Sequence, residues 1–287
     1  LITARLYQNE AKEIQSKNLS IFIANERDEI KSQIQILLKN AKRTGFEEND
    51  LKFSEYKKFN KSLKGSVLVA TKNLIEELRL IKNDQEIAKI EKAQIISQKA
   101  FQALVKTLKV GQREQEISQK LSQLLNHFGA QGQAFESIVA TGANSGLPHY
   151  KTGQRKLKKN DILLLDFGAK YQNYCADLTR TVFVGRANAV QRNIYDLVFK
   201  SQQEAIKHLK AGTDAKKAFL IANNVFTKAN YQDSFLHSLG HGIGLEVHEP
   251  PSLSKKSKDS LKPGMVFSVE PGLYFNWGGI RIEDLVT

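Results

Sequence analysis

The run ILLLDFG (162–168) sets one carboxylate, Asp166, among apolar residues. Ile162, Leu163, Leu164 and Leu165 before it and Phe167 after it read as a buried strand. A carboxylate hidden there without a partner costs several kcal/mol, and the run holds no Lys or Arg. The next acid is Asp177, in CADLTRT (175–181). A tight turn over KYQN (170–173) places Asp166 and Asp177 about opposite each other on paired strands, near enough to share a ligand. Two buried anions repel, so a metal cation is the economical resolution.

The 287 residues are enough for two domains. With 41% hydrophobic and 25% charged residues, the composition is that of an ordinary soluble globular protein. No apolar run approaches the ~20 residues of a membrane helix, and no secretory signal is visible. The first residue is Leu1 and the last, Thr287, falls in an apparent strand, so truncation at both ends is expected. Cys175 is the single cysteine, which excludes a disulfide framework and a thiolate metal cluster. It is expected to pack as a small buried residue in a protein of the reducing cytoplasm. The net charge of +13 raises nucleic-acid binding as a class. The lysines, however, are scattered among acids, with only short clusters such as those at 155–159 and 255–258 and no interleaved aromatics, so a solvated basic surface is expected instead.

Along the chain, 1–80 reads as a small α/β domain, with strands at 19–24 and 66–70 and a helix over 26–42. Asn83 or Asp84 caps a long helix that Gly111 stops, and a second helix spans about 114–127. A strand at 134–141, the loop GANSG (142–146) and the Asp166 and Asp177 strands follow. The order then repeats. Helices at about 189–209 and 214–229 precede the Gly-rich block SLGHGIGLEVHEPP (238–251) and strands near 265–269 and 279–286.

The second set of strands also carries acids among apolar residues: Glu270 in FSVEPGLY and Glu283 in GGIRIEDLV. Asn276, Trp277 and two glycines mark a turn between them, so a second hairpin presents both toward one point. Four such acids in two similar hairpins favour a shared site over exposed strand acids. His237 and His241 have the spacing of a helical zinc pair. The glycines around His241 argue instead for an extended segment approached closely by another group. His241 is thus favoured as a ligand, and His237 as a supporting or substrate-side group. Carboxylates with one imidazole suit hard divalent ions such as Mn²⁺, and four negative charges balance two such ions, which activate water near neutral pH.

The motifs NSGLPHY (144–150), LLLDFGA (163–169), ADLTRT (176–181), HSLGHGIGLEVHE (237–249), LKPGMVFSVEPGLY (261–274) and GGIRIED (278–284) resemble the pita-bread metallopeptidases, in their aminopeptidase P and prolidase branch. The resemblance covers about 80–287, with five ligand positions in order. It implies an α+β fold: two pseudo-repeated helix-helix-strand halves around a curved antiparallel sheet (81–287), preceded by a partial, creatinase-like α/β domain (1–80). It implies Asp166, Asp177, His241, Glu270 and Glu283 as ligands of two divalent ions, Mn²⁺ first, with Co²⁺ or Zn²⁺ as substitutes. His149, His237 and His248 become substrate-side histidines, with His149 and His248 donating to the substrate carbonyl. Glu270 moves the proton, and Arg281 either orients the ligand acids or meets a substrate carboxylate. The implied activity is removal of an N-terminal residue that precedes proline, by a cytoplasmic homodimer without nucleic-acid or membrane partners. The alternatives are a methionine aminopeptidase and a non-catalytic pita-bread domain that binds peptides.

Overall fold

The computed structural model describes residues 1–63 and 65–287. They form two compact units that divide at Leu74/Ile75. In the first, β1 (Ile2–Ala4) runs parallel to β2 (Phe22–Ala24), with α1 (Gln8–Glu13) between them in the chain. Helix α2 (Arg27–Leu38) follows. β3 (Arg43–Glu47) runs parallel to β4 (Val67–Thr71) across α3 (Phe53–Ser62). Parallel neighbours need such crossovers, so this unit is α/β as its composition suggests. The sequence reading names no helix at α3, although Phe53, Tyr56 and Phe59 repeat at every third position. Helix α4 (Leu74–Leu80) spans the division.

In the second unit, α5 (Asp84–Val105) begins at a capping box. Asn83 N donates to Glu86 Oε2 at 2.8 Å, and Glu86 N donates to Asn83 Oδ1 at 3.0 Å. It ends at Val105, short of the expected stop at Gly111. Helix α6 (Glu114–His127) agrees with expectation. Next come β5 (Gly132–Gln133), β6 (Ile138–Thr141), β7 (Ile162–Phe167), β8 (Ala169–Tyr171), β9 (Tyr174–Cys175) and β10 (Leu178–Phe183). Two more helices, α7 (Ala189–His208) and α8 (Ala215–Lys228), open the second half, with Asn188 and Asp214 as their caps. It closes with β11 (Gly240–Gly242), β12 (Glu249–Leu253), β13 (Phe267–Val269), β14 (Gly272–Phe275), β15 (Gly278–Arg281) and β16 (Asp284–Val286).

Each half buries its helix pair against its own strands. Ile96, Leu104, Ile117, Leu121 and Leu125 pack with Leu163, Leu165, Phe167 and Leu178. Val198, Ala218, Ala222 and Phe226 pack with Leu253, Phe267, Val269, Leu273 and Ile280. Residues alternate across a strand. Leu163, Leu165 and Phe167 therefore turn to the helices, and Asp166 turns away from them.

In both halves one long hairpin keeps a single register through a break. β7–β10 and β8–β9 are antiparallel, with Phe167 opposite Leu178 and Lys170 opposite Cys175. β13–β16 and β14–β15 repeat this, with Val269 opposite Asp284 and Gly272 opposite Arg281. The two hairpins meet where Thr181 Oγ1 donates to Arg281 O at 2.9 Å and Glu283 N donates to Thr179 O at 3.2 Å.

At the first break the backbones touch. A Cβ on Gly168 would lie 1.7 Å from the carbonyl oxygen of Ala176, whereas one on Gly132 would meet nothing within 4 Å. Gly168→Ala is expected to cost about 2–3 kcal/mol in urea unfolding followed by circular dichroism. Gly132→Ala is expected to stay within about 0.5 kcal/mol of wild type. Equal losses contradict the close approach.

Candidate metal centre and cleft

The hairpin registers decide where the acids meet. Asp166 lies in β7 opposite Thr179, and Asp177 follows β9, opposite Gly168 by the continued register. The two are therefore diagonal neighbours on one face, not directly opposed as a turn over 170–173 requires. The reason is the turn itself. Only Gln172 and Asn173 form it, with left-handed φ values of 46° and 69°, the conformation of a two-residue hairpin. Tyr171 pairs with Tyr174, and this shifts every partner by two. In the second hairpin, Glu270 and Glu283 sit in the breaks between β13 and β14 and between β15 and β16, and the register sets them opposite each other.

His241 is the middle residue of β11, an extended strand as its glycines predict. A Cβ on Gly240 would lie 1.9 Å from Ser268 O, and one on Gly242 would lie 2.0 Å from Pro250 O. The glycines let two backbones close around the histidine.

These elements enclose a cleft of about 620 Å³, lined by His149, Asp166, Asp177, His237, His241, His248, Glu270, Arg281 and Glu283. All nine residues named from sequence thus come together. Asp177, His241 and Glu283 each offer an atom within 4.8 Å of the others. His241 Nε2 lies 3.4 Å from Glu270 Oε1 and 3.6 Å from Asp177 Oδ2. His241 Nδ1 lies 3.1 Å from Gly242 O. That carbonyl only accepts, so Nδ1 carries the proton and Nε2 presents a bare lone pair to the acids. Burial, followed by His248, pushes the His241 pKa down to about 4, which keeps the ring neutral at pH 7.

The carboxylates show the opposite strain. Burial first, then Glu283 and Asp166, raises Asp177 well above the ordinary carboxylate range. Burial first, then Glu270 and Asp166, does the same to Glu283. Glu270 is pushed up to about 8, chiefly by burial, with Arg281 opposing and Asp166 adding. Asp177 Oδ1 and Glu283 Oε1 are buried without a hydrogen-bond partner among the described residues. A neutral imidazole held by a backbone carbonyl, beside orphaned carboxylate oxygens, is the donor set of a divalent-cation site. The residues fit such ions.

Arg281 supplies part of the compensation. It is 3% exposed, and its Nη2 donates to Asp166 Oδ2. Its Nε donates to Thr179 Oγ1 at 3.1 Å, and its Nη1 donates to Tyr274 OH at 2.7 Å and Pro148 O at 3.4 Å. One guanidinium meets one of the four carboxylates and leaves the other three without a cationic partner among the described residues. These bonds turn Arg281 toward Asp166 and the acids beside it.

His237 is engaged inside the protein. Its Nδ1 lies 2.7 Å from Ser238 O, so that nitrogen donates, and Nε2 accepts from Tyr274 OH at 2.7 Å. Both ring nitrogens are taken, which is the supporting one of the two places expected for it, although the ring still lines the cleft. His149 and His248 are exposed at the cleft, and the His248 ring centroid is 4.2 Å from that of His241. Tyr274 and Thr179 are not among the site residues expected from sequence. Thr179 Oγ1 donates to Glu283 Oε2 at 2.6 Å. Both residues sit in motifs quoted from sequence, but neither has an ionisable side chain at neutral pH to mark it.

Comparison with known proteins agrees with this geometry. The model of metallopeptidase family M24 matches residues 88–287, and that of the creatinase/prolidase N-terminal domain matches residues 1–81. The Xaa-Pro dipeptidase of Pyrococcus furiosus is 39% identical over 255 residues, covering 88% of this chain and 73% of that protein. The solved Xaa-Pro dipeptidase from Bacillus anthracis matches with a TM-score of 0.95 at 35% identity, over 99% of this chain and 80% of that one. An X-Pro aminopeptidase from Thermotoga maritima matches with a TM-score of 0.91 at 34% identity, over 100% and 81%.

The raised carboxyl pKa values predict a pH dependence. In metal-free protein, folded Glu270 holds its proton up to about pH 8, whereas the unfolded chain releases it near 4.5. The folded state then binds more protons, and its stability falls as pH rises through that window. Thermal melts in EDTA are expected to shift down between pH 5.5 and 8, and the Tm gain from added Mn²⁺ to grow over the same range. A cation effect that shrinks with rising pH contradicts the assignment.

Proposed function

The chain belongs to metallopeptidase family M24, and from that premise we propose that it hydrolyses Xaa–Pro bonds with two divalent cations, Mn²⁺ first among them. The observation that carries this is the cleft, in which buried acids with orphaned oxygens face a bare imidazole nitrogen. Asp166, Asp177, His241, Glu270 and Glu283 hold the ions. When bound, such ions polarise a carbonyl and supply a nucleophile at neutral pH.

The chain's own groups do the rest. Glu270 takes the proton of the attacking water and returns it to the leaving proline nitrogen. His149 and His248, at the mouth of the cleft, donate to the substrate carbonyl oxygen as negative charge grows on it. Arg281 holds Asp166, and Thr179 holds Glu283 by one oxygen, leaving the other for a cation. His237 steadies Tyr274 and through it Arg281. Phe135, Ile138, Pro148 and Val247 give the cleft an apolar wall for a proline ring or the residue before it.

We set the functional boundary at 80/81, beyond the structural division at Leu74/Ile75, and the matches to 1–81 and 88–287 support it. A homodimer in the cytoplasm completes the reading. The buried thiol of Cys175 suits a reducing compartment. Among the described residues no helix is long and apolar enough to cross a membrane. The methionine-aminopeptidase and non-catalytic alternatives have no matching observation, since all five candidate ligands line the cleft and the relatives compared above are named for Xaa-Pro substrates.

Xaa-Pro and Xaa-Pro-Xaa peptides offered with Mn²⁺, Co²⁺, Zn²⁺ or EDTA test the reading. Turnover is expected with Mn²⁺ and lost in EDTA; no cleavage under any of these ions contradicts it. Replacing His248 by Ala is expected to lower kcat by about 10²–10³-fold, with bound metal unchanged by emission spectroscopy. A parallel loss of metal contradicts its place beside the substrate.

A further inference from the structure

We propose that Glu114 is a positioning residue that sets the loop carrying His149, and with it the place of that imidazole in the cleft. The inference rests on the role given to His149 above. Glu114 opens α6 and is 0% exposed. Its carboxylate accepts from five donors. Oε1 takes Thr141 N at 2.8 Å, Thr141 Oγ1 at 2.7 Å and Asn144 Nδ2 at 2.9 Å. Oε2 takes Tyr150 OH at 2.8 Å and Gly153 N at 3.2 Å.

These donors bracket His149 on both sides. Asn144 and Tyr150 are also joined directly, Asn144 Nδ2 donating to Tyr150 OH at 2.8 Å. The helix start grips the loop in the other sense too. Glu114 N donates to Arg155 O at 3.0 Å, and Gln115 N donates to Gly153 O at 3.1 Å. Arg155 closes the ring by donating to Thr141 Oγ1 and to Asp161.

His149 is exposed, and among the described residues its side chain is in no hydrogen bond. Its location is therefore inherited from the loop backbone, which Glu114 grips on both sides of it; Arg281 at Pro148 O and Thr152 at Val139 N and Ser137 O are further anchors. The backbone N–H groups of Thr141 and Gly153 can only donate, one to each oxygen of Glu114, so neither oxygen can become a donor without leaving a backbone N–H unpaired. An error of about 1 Å in a group that meets the reacting carbonyl costs up to ~10²-fold in rate.

Glu114→Gln keeps the shape and forces one such clash. The experiment measures kcat/KM on a Xaa-Pro peptide for wild type, Glu114→Gln, His149→Ala and the double variant, all loaded with Mn²⁺. Glu114→Gln is expected to lose about 10–100-fold alone and less than about 3-fold in the His149→Ala background. Equal losses in both backgrounds overturn the proposal, as does a His149→Ala variant with wild-type activity. If Glu114→Gln does not fold, Tyr150→Phe, which removes one donor, enters the same cycle with a smaller loss of the same pattern.

A second arm reads the loop without catalysis. Lys151 is exposed between the anchors at Tyr150 and Gly153. Trypsin is expected to cut after Lys151 several-fold faster in Glu114→Gln than in wild type. Unchanged cutting overturns the clamp. A protein that cleaves no Xaa-Pro peptide yet shows faster cutting would break the functional reading and leave the clamp standing.

Discussion

Buried negative charge governs this protein. Asp166, Asp177, Glu270 and Glu283 converge from two hairpins into one cleft, and folding brings a single guanidinium, Arg281, to meet them. Desolvated carboxyls in such a group either take up protons or find cations. The raised positions of Asp177, Glu270 and Glu283 are the proton-bound answer of the bare chain. The bare Nε2 of His241 and the orphaned oxygens of Asp177 and Glu283 point to the cation-bound one.

The repeated architecture delivers that charge. In each half two helices cover one face of the strands, and the acids leave by the other face or at a break in the ladder. Breaks matter because a residue outside regular pairing is free to aim its side chain at a shared point. β10 then joins the halves through Thr179 and Thr181, so the threonine that orients Glu283 also accepts from Arg281. The placement of these acids and the seam between halves are one network.

Much of this was legible in the sequence. An acid in an apolar run announces itself, and Asp166, Glu270 and Glu283 are of that kind. His241 was legible through its glycines, which two backbone carbonyls approach closely. The diagonal offset of Asp166 and Asp177 was not, because a four-residue and a two-residue turn fit the same KYQN string, and only the left-handed backbone at Gln172 and Asn173 separates them. Glu114 was hidden for a different reason. In REQEIS it reads as one more acid at a helix start, and its burial depends on a loop about thirty residues later in the chain. Tyr274, likewise, shows its link between His237 and Arg281 only in three dimensions.

Divalent cations, on this view, replace protons among these buried acids. Calorimetric titration of the metal-free chain with Mn²⁺ at pH 7, repeated in buffers of different ionisation enthalpy, measures both the number of ions bound and the protons released. Saturation at two ions per chain, with net proton release, is expected. Saturation without proton release, or no saturable binding, would contradict it.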